Sequence, residues 1–229
     1  MSELLRLAEG VDSYRRRCAV SEYNAEARRG NEYEPFFIGN GIATFLEDFA
    51  RETPLLNRAK IIIMRPSADC GFPHTRPGNL ICMPSTTCLQ TDSCKETLIH
   101  EGIHLHQRTF MNDWMKYCSA QGWTQRWADS VPSQYIERVR INPDTMMCPY
   151  WSWQEYYVPL PLFIEKPALR LPDVTVKWLD IRASSFVDAP PSFYRRYGAA
   201  SQPEHPFELA AVEMATTCRS DDDVFNIIR

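Results

Sequence analysis

The chain has 229 residues, 44 % hydrophobic and 24 % charged, with a net charge of −4 and acids and bases interleaved. This is an ordinary globular composition, long enough for a full core in one domain or at most two. No basic stripe supports nucleic-acid binding, and no apolar run approaches the roughly 18 residues of a membrane span.

The first residues, Met-Ser-Glu-Leu-Leu-Arg-Leu-Ala-Glu-Gly, lack the apolar core of a signal peptide, so a cytoplasmic or other intracellular location is expected. The eight cysteines form no Cys-x-x-Cys pair. Reduced thiols are the expectation, with a disulfide among Cys70, Cys82, Cys88 and Cys94 as the alternative.

In chain order, the spacing of Leu4, Leu5, Leu7, Ala8, Val11 and Tyr14 predicts a helix over 2–17, weakened by Gly10. Residues 24–35 are polar and read as loop. Ile42, Phe45, Leu46 and Phe49 form the stripe of a second helix over 40–53, which Pro54 ends. The β-branched run 59–64 predicts a strand. A Pro- and Gly-rich loop then leads to a second strand, Asn79–Met83, stopped by Pro84. A third helix follows, with Asp92 or Ser93 as its N-cap and Leu98, Ile99, Ile103 and Leu105 as its buried side. Its interior Gly102 is unfavourable by about 0.5–1 kcal/mol relative to Ala, which a close approach at that turn would explain. Beyond it lie an aromatic-rich stretch from Phe110 to Trp127, a helical turn at 136–141 and a turn at Asn142-Pro143-Asp144. The densest aromatic segment, 149–159, either lines a cleft or packs beneath a long insertion, and the dominance of such side chains in cores favours packing. A further strand is predicted at Val174–Ile181.

The third helix carries His100-Glu101-Gly102-Ile103-His104, a His-Glu-x-x-His pattern. Residues at i and i+4 share a helix face, with Cβ atoms about 5–6 Å apart. Two imidazoles so placed can converge on one zinc ion at about 2.0–2.1 Å. Glu101 can then reach a water on the metal without being a ligand, the position of a general base. His106, six residues from His100 and roughly 240° round the helix, faces away.

Two imidazoles leave a tetrahedral site incomplete, since a catalytic zinc takes three protein ligands plus water. The segment from Pro203 to Ala215 offers the third. His205-Pro206 starts a helix, with Pro in its first turn. Glu208 follows, and the small Ala210, Ala211 and Ala215 allow close approach to another helix. Glu208, Glu213 and His205 all have ligand chemistry, and Glu208 and Glu213, five apart, point to different faces. The zincin metallopeptidases, which this pattern resembles, often add a Tyr or His to stabilise the oxyanion; Tyr150, Tyr157, Tyr194 and His205 are the candidates here, with His205 and Tyr157 foremost.

The run of strand, loop, strand and His-Glu-x-x-His helix at 59–108, together with the helix from about 205, resembles the zincin metallopeptidases and their gluzincin branch. Gluzincins take a Glu ligand from a downstream helix, often with Ala three residues on, as Ala211 is here. The chain departs from thermolysin-like members at Val212, where they carry the acidic residue that orients a ligand histidine. The resemblance implies an α+β fold: a small mixed sheet packed on a central metal helix, with a ligand-bearing helix near the C-terminus. It implies one domain over 1–229 with a long insertion at about 109–202. It also implies one Zn²⁺ held by His100, His104 and Glu208, with Glu101 as the base, and a peptide or protein as substrate. By resemblance, Asn79–Met83 is the edge strand that pairs with extended substrate through Asn79, Leu80 and Ile81, whereas an ordinary core strand is the alternative. The competing reading of the whole is a non-catalytic protein with a structural zinc.

Overall fold

The computed structural model describes residues 2–163, 170–199 and 203–229. Among these, eleven α-helices and two small sheets form a mixed α+β fold. The first predicted helix is two, α1 (Glu3–Asp12) and α2 (Tyr14–Val20), broken at Ser13, whose φ of 52° is left-handed. The polar stretch read as loop contains a short helix, α3 (Glu22–Ala27), N-capped by Ser21. The helix α4 (Asn40–Glu52) lies where its stripe predicts.

The first sheet comprises β1 (Lys60–Met64), β2 (His74–Arg76) and β3 (Leu80–Pro84). Its order is β1-β3-β2, with β3 parallel to β1 and antiparallel to β2. This corrects the expectation for Asn79, Leu80 and Ile81. Asn79 lies in the turn before β3, with a left-handed φ of 60°, while Leu80 and Ile81 sit in β3, paired to β1 on one side and β2 on the other and at most 1 % exposed. The edge strands are β1 and β2, the latter three residues hidden in a Pro- and Gly-rich segment without a β-branched run.

After the short α5 (Ser85–Cys88), the helix that carries the His-Glu-x-x-His pattern, α6, spans Thr91–Thr109. Its N-cap is Gln90, and Asp92 and Ser93 lie inside the first turn rather than capping it. From Leu98 to Gln107 every residue but His100 is buried. The helix is therefore covered on nearly all sides, by the first sheet, by a turn at Pro54–Leu56 and by a later helix. Gly102 is explained here. A Cβ at this position would stand 2.8 Å from Leu56 Cδ2 and 3.2 Å from Leu55 Cγ, so the close approach comes from two leucine side chains.

The region 109–202 begins with α7 (Met111–Ala120), β4 (Trp123–Arg126) and α8 (Ser133–Ile136), so the predicted turn at 136–141 lies mostly beyond its helix. It continues with β5 (Tyr150–Trp153), β6 (Tyr157–Phe163), β7 (Val174–Asp180), β8 (Ser185–Val187) and α9 (Pro191–Tyr197). Residues 164–169 and 200–202 of it lie outside the described set. The strands form an antiparallel sheet in sequential order. Side chains alternate across β5: Trp151 and Trp153 join the main core, while Tyr150 joins a separate cluster with Val158, Leu160 and Leu179. The aromatic segment is thus packing. Pro159 and Pro161 hide β6 in the sequence. Phe163 donates its N–H to Arg138 O, away from β7, and by period-two alternation the two prolines point their missing donors to that same side.

The C-terminal helices are α10 (Pro206–Met214), which packs on α6, and α11 (Asp221–Ile228), which carries a capping box at Ser220 and Asp223. All eight cysteines are free, seven of them buried, so the disulfide alternative is not realised. No helix among the described residues is long and apolar enough to cross a membrane.

Candidate metal centre

The local sequence aims each ligand. On α6 the i, i+4 spacing stacks His100 and His104 on one face, with ring centroids 4.7 Å apart. On α10 the entry is shaped by His205, the N-cap, whose Nδ1 accepts from Phe207 N–H at 3.1 Å, and by Pro206 at the first helical position. Glu208 falls in the first turn, and the buried Ala210 and Ala211 follow it.

Three ligand atoms meet there. His100 Nε2 lies 3.0 Å from His104 Nε2, and Glu208 Oε2 lies 3.2 Å from His104 Nε2 and 3.4 Å from His100 Nε2. Ligands about 2.0–2.1 Å from one tetrahedral ion stand roughly 3.3 Å from each other, so the triad fits a single small cation. Among the described residues, this is the cluster that could hold a metal ion.

Neighbouring side chains fix the lone pairs. His104 Nδ1 donates to Gln107 Oε1 at 2.7 Å, and the Gln107 amide is held in that orientation by donating to Phe207 O at 3.0 Å. His104 Nε2 is thereby left as the ligating nitrogen. Asn142 Nδ2 donates to Glu208 Oε1 at 2.7 Å, which reserves Oε2 for the imidazoles. Asp144 N–H in turn donates to Asn142 Oδ1 at 3.0 Å.

Converging acceptors in a buried place demand positive charge. Burial alone would lower the pKa of His104, but the carboxylates of Glu208, Asp144 and Glu101 outweigh it and raise the value to about 10. Burial would raise Glu208, yet the two imidazoles hold it well below the usual carboxylate range. A proton meets the demand, and a small divalent ion would meet it as well. Glu101 is held well above its ordinary value, first by burial and then by the charge of Asp144. Its Oε2 is buried and has no hydrogen-bond partner.

The triad opens into a cleft of about 440 Å³. His100, Glu101 and Glu208 line one part, Tyr14, Arg28, Asp69 and His74 another, and Asn142 and Asp144 border it.

Other sequence-derived site residues fall elsewhere. Glu213 pairs with Arg196 on the surface, and His205 spends both ring nitrogens, with Nε2 donating to Cys148 O at 2.9 Å; neither is a ligand. His205 is also corrected as an oxyanion stabiliser, because it is 2 % exposed and outside the cleft lining. Tyr157 starts β6 in the second sheet, where its hydroxyl accepts from Arg182 at 3.2 Å. Tyr150 packs in the second-sheet cluster and Tyr194 lies 55 % exposed near Trp178, so none of the three tyrosines borders the triad. His106 faces away as expected, with Nδ1 accepting from Trp114 Nε1 at 2.9 Å. Gln107, Asn142 and Asp144 escaped the sequence reading. Gln107 was in principle visible as the i+3 neighbour of His104, whereas Asn142-Pro143-Asp144 carried only a turn signal.

Comparison with protein-family models, with curated proteins and with solved structures finds no match to this chain, so the site is read from its own geometry.

Proposed function

We propose that the protein is a zinc-dependent peptidase with a zincin-like, gluzincin-type site: His100, His104 and Glu208 as ligands and Glu101 as general base. The observation that carries this reading is the pairing of a three-atom ligand set, 3.0–3.4 Å between members, with a buried unpartnered carboxylate oxygen next along the helix at the floor of an open cleft. A divalent ion bound there supplies Lewis acidity, which lowers the pKa of water toward about 7 and polarises a carbonyl.

The chain's own groups account for the rest. Glu101 accepts a proton from the attacking water through the oxygen that no other group occupies. As the water oxygen bonds to the carbonyl carbon and the C–N bond breaks, Glu101 returns that proton to the leaving nitrogen. Gln107 and Asn142 keep the ligand atoms aimed without reorganisation.

The test is cleavage of peptide libraries by purified, zinc-loaded protein beside Glu101→Gln. We expect the variant to keep stoichiometric zinc and to lose about 10²–10⁴-fold in rate. Cleavage that survives the substitution would remove this mechanism.

A second reading, a structural metal tying α10 to α6, draws on the burial of His104 and Glu208, at 1 % and 2 % exposure. Against it stand the absence of cysteine from the ligand set and the open cleft beside His100.

A further inference from the structure

One of the two edge strands of the first sheet, β2, borders the cleft, since His74 is among the cleft's lining residues. An open edge would offer an extended peptide a row of backbone donors and acceptors. Thr75, the middle residue of β2, has both of its backbone groups already engaged by side chains. Its N–H donates to Asp144 Oδ1 at 2.7 Å, and its carbonyl accepts from Arg108 Nη2 at 3.1 Å. The Thr75 hydroxyl donates to the same Asp144 oxygen and accepts from Arg108 Nε at 2.9 Å. Arg108 Nη2 also donates to Pro143 O at 2.6 Å, so the segment 142–144 is clamped along β2 from both sides. Asn142, two residues before Asp144, holds the ligand Glu208. The segment is therefore fastened to the edge strand at one end and to the metal triad at the other.

We infer that residues 142–144 form a fixed strap over the substrate-pairing edge, and that the site takes short peptides engaged at the scissile end rather than extended chains aligned along β2. This inference deepens the peptidase reading and rests on it for the nature of the substrate. Asp144 is the specificity-determining residue, because its carboxylate occupies the hydrogen-bond position that an incoming carbonyl would need. Arg108 is the second fastening.

The test has two readouts. The first, independent of metal and of turnover, is hydrogen exchange at the Thr75 amide. It is protected in the wild-type protein and is expected to exchange at least about tenfold faster in Asp144→Ala. The second is binding of two zinc-directed probes to zinc-loaded protein: a dipeptide hydroxamate and a hexapeptide hydroxamate with the same terminal residues. Wild type should bind the two within about twofold of each other. Asp144→Ala should bind the longer one about tenfold more tightly, as a gain of one or two main-chain hydrogen bonds implies. Arg108→Met, which frees the Thr75 carbonyl and leaves the strap sequence intact, should shift the same ratio in the same direction. A wild-type preference for the long probe that neither variant changes, or a Thr75 amide that exchanges equally fast in wild type and Asp144→Ala, would overturn the inference. Binding of both hydroxamates without any peptide turnover would instead remove the peptidase reading and leave the strap in place.

Discussion

Gln107 and Asn142 each turn one ligand toward the triad, so their loss should weaken metal binding without removing a ligand. Gln107→Leu deprives His104 Nδ1 of its acceptor, and Asn142→Leu frees Glu208 Oε1. Each is expected to reduce zinc affinity about 10–100-fold, read by competition with a chromogenic chelator. Unchanged affinity in both would mean that packing alone aims the ligands. His205 leads to a different prediction. Burial pushes its pKa down to about 4. The unfolded chain, with a histidine near 6.5, takes up the proton first. Stability from this group is therefore complete above about pH 6.5 and is lost as pH falls toward 4. At pH 5 the loss is about 2 kcal/mol. Urea midpoints of EDTA-treated protein at pH 7.5 and 5 should show it. His205→Asn, which keeps an N-capping side chain, should flatten the acid limb.

Among the elements, α6 carries the heaviest constraint. Gly102 sits at its tightest contact, and Gly102→Ala sets two effects against each other. Helix propensity favours Ala by about 0.5–1 kcal/mol. The new methyl would stand 2.8 Å from Leu56 Cδ2 and also press on Leu55, both in the main core. Overpacking of that kind is unfavourable by about 1–3 kcal/mol. A net loss of up to about 2 kcal/mol is expected, measured by chemical denaturation, and a stabilised variant would show that the leucines yield freely. The same crowding explains the mixture of residues on α6. A helix enclosed by a sheet, a turn and α10 needs a glycine where the approach is closest and buried polar groups where it faces the cleft.

For the whole molecule, the triad joins two segments that are 104 residues apart in the chain, so an ion held there links α6 to α10. Removing it leaves a carboxylate and two imidazoles converging in a buried place. Zinc-loaded protein is expected to melt well above chelator-treated protein, with a gain of about 3–4 kcal/mol at free zinc 100–1,000 times the dissociation constant. Differential scanning calorimetry with and without chelator checks this. Equal melting temperatures would mean that the triad holds no ion. A large difference accompanied by no peptide turnover would favour the structural reading over the catalytic one.

The sequence by itself placed the His-Glu-x-x-His helix, set His100 and His104 on one face of it and offered Glu208, on a helix of its own, as a candidate partner. These follow from periodicity and end signals within single helices, which a linear chain states directly. It also indicated the strands at 59–64, 79–83 and 174–181 through their β-branched and apolar runs. Tertiary structure alone decided that 80–84 is the central strand and 74–76 an edge, because order within a sheet depends on pairings that no local pattern records. It alone decided that His205 is a cap, that β5 and β6 are strands despite aromatics and prolines, and that Asn142, Asp144 and Gln107 serve the site. Their bonds to Glu208, Thr75 and Phe207 span 66, 69 and 100 residues. At those separations chain connectivity places no side chain near another, and only the packing of α6, α10 and the first sheet brings these groups within hydrogen-bonding reach.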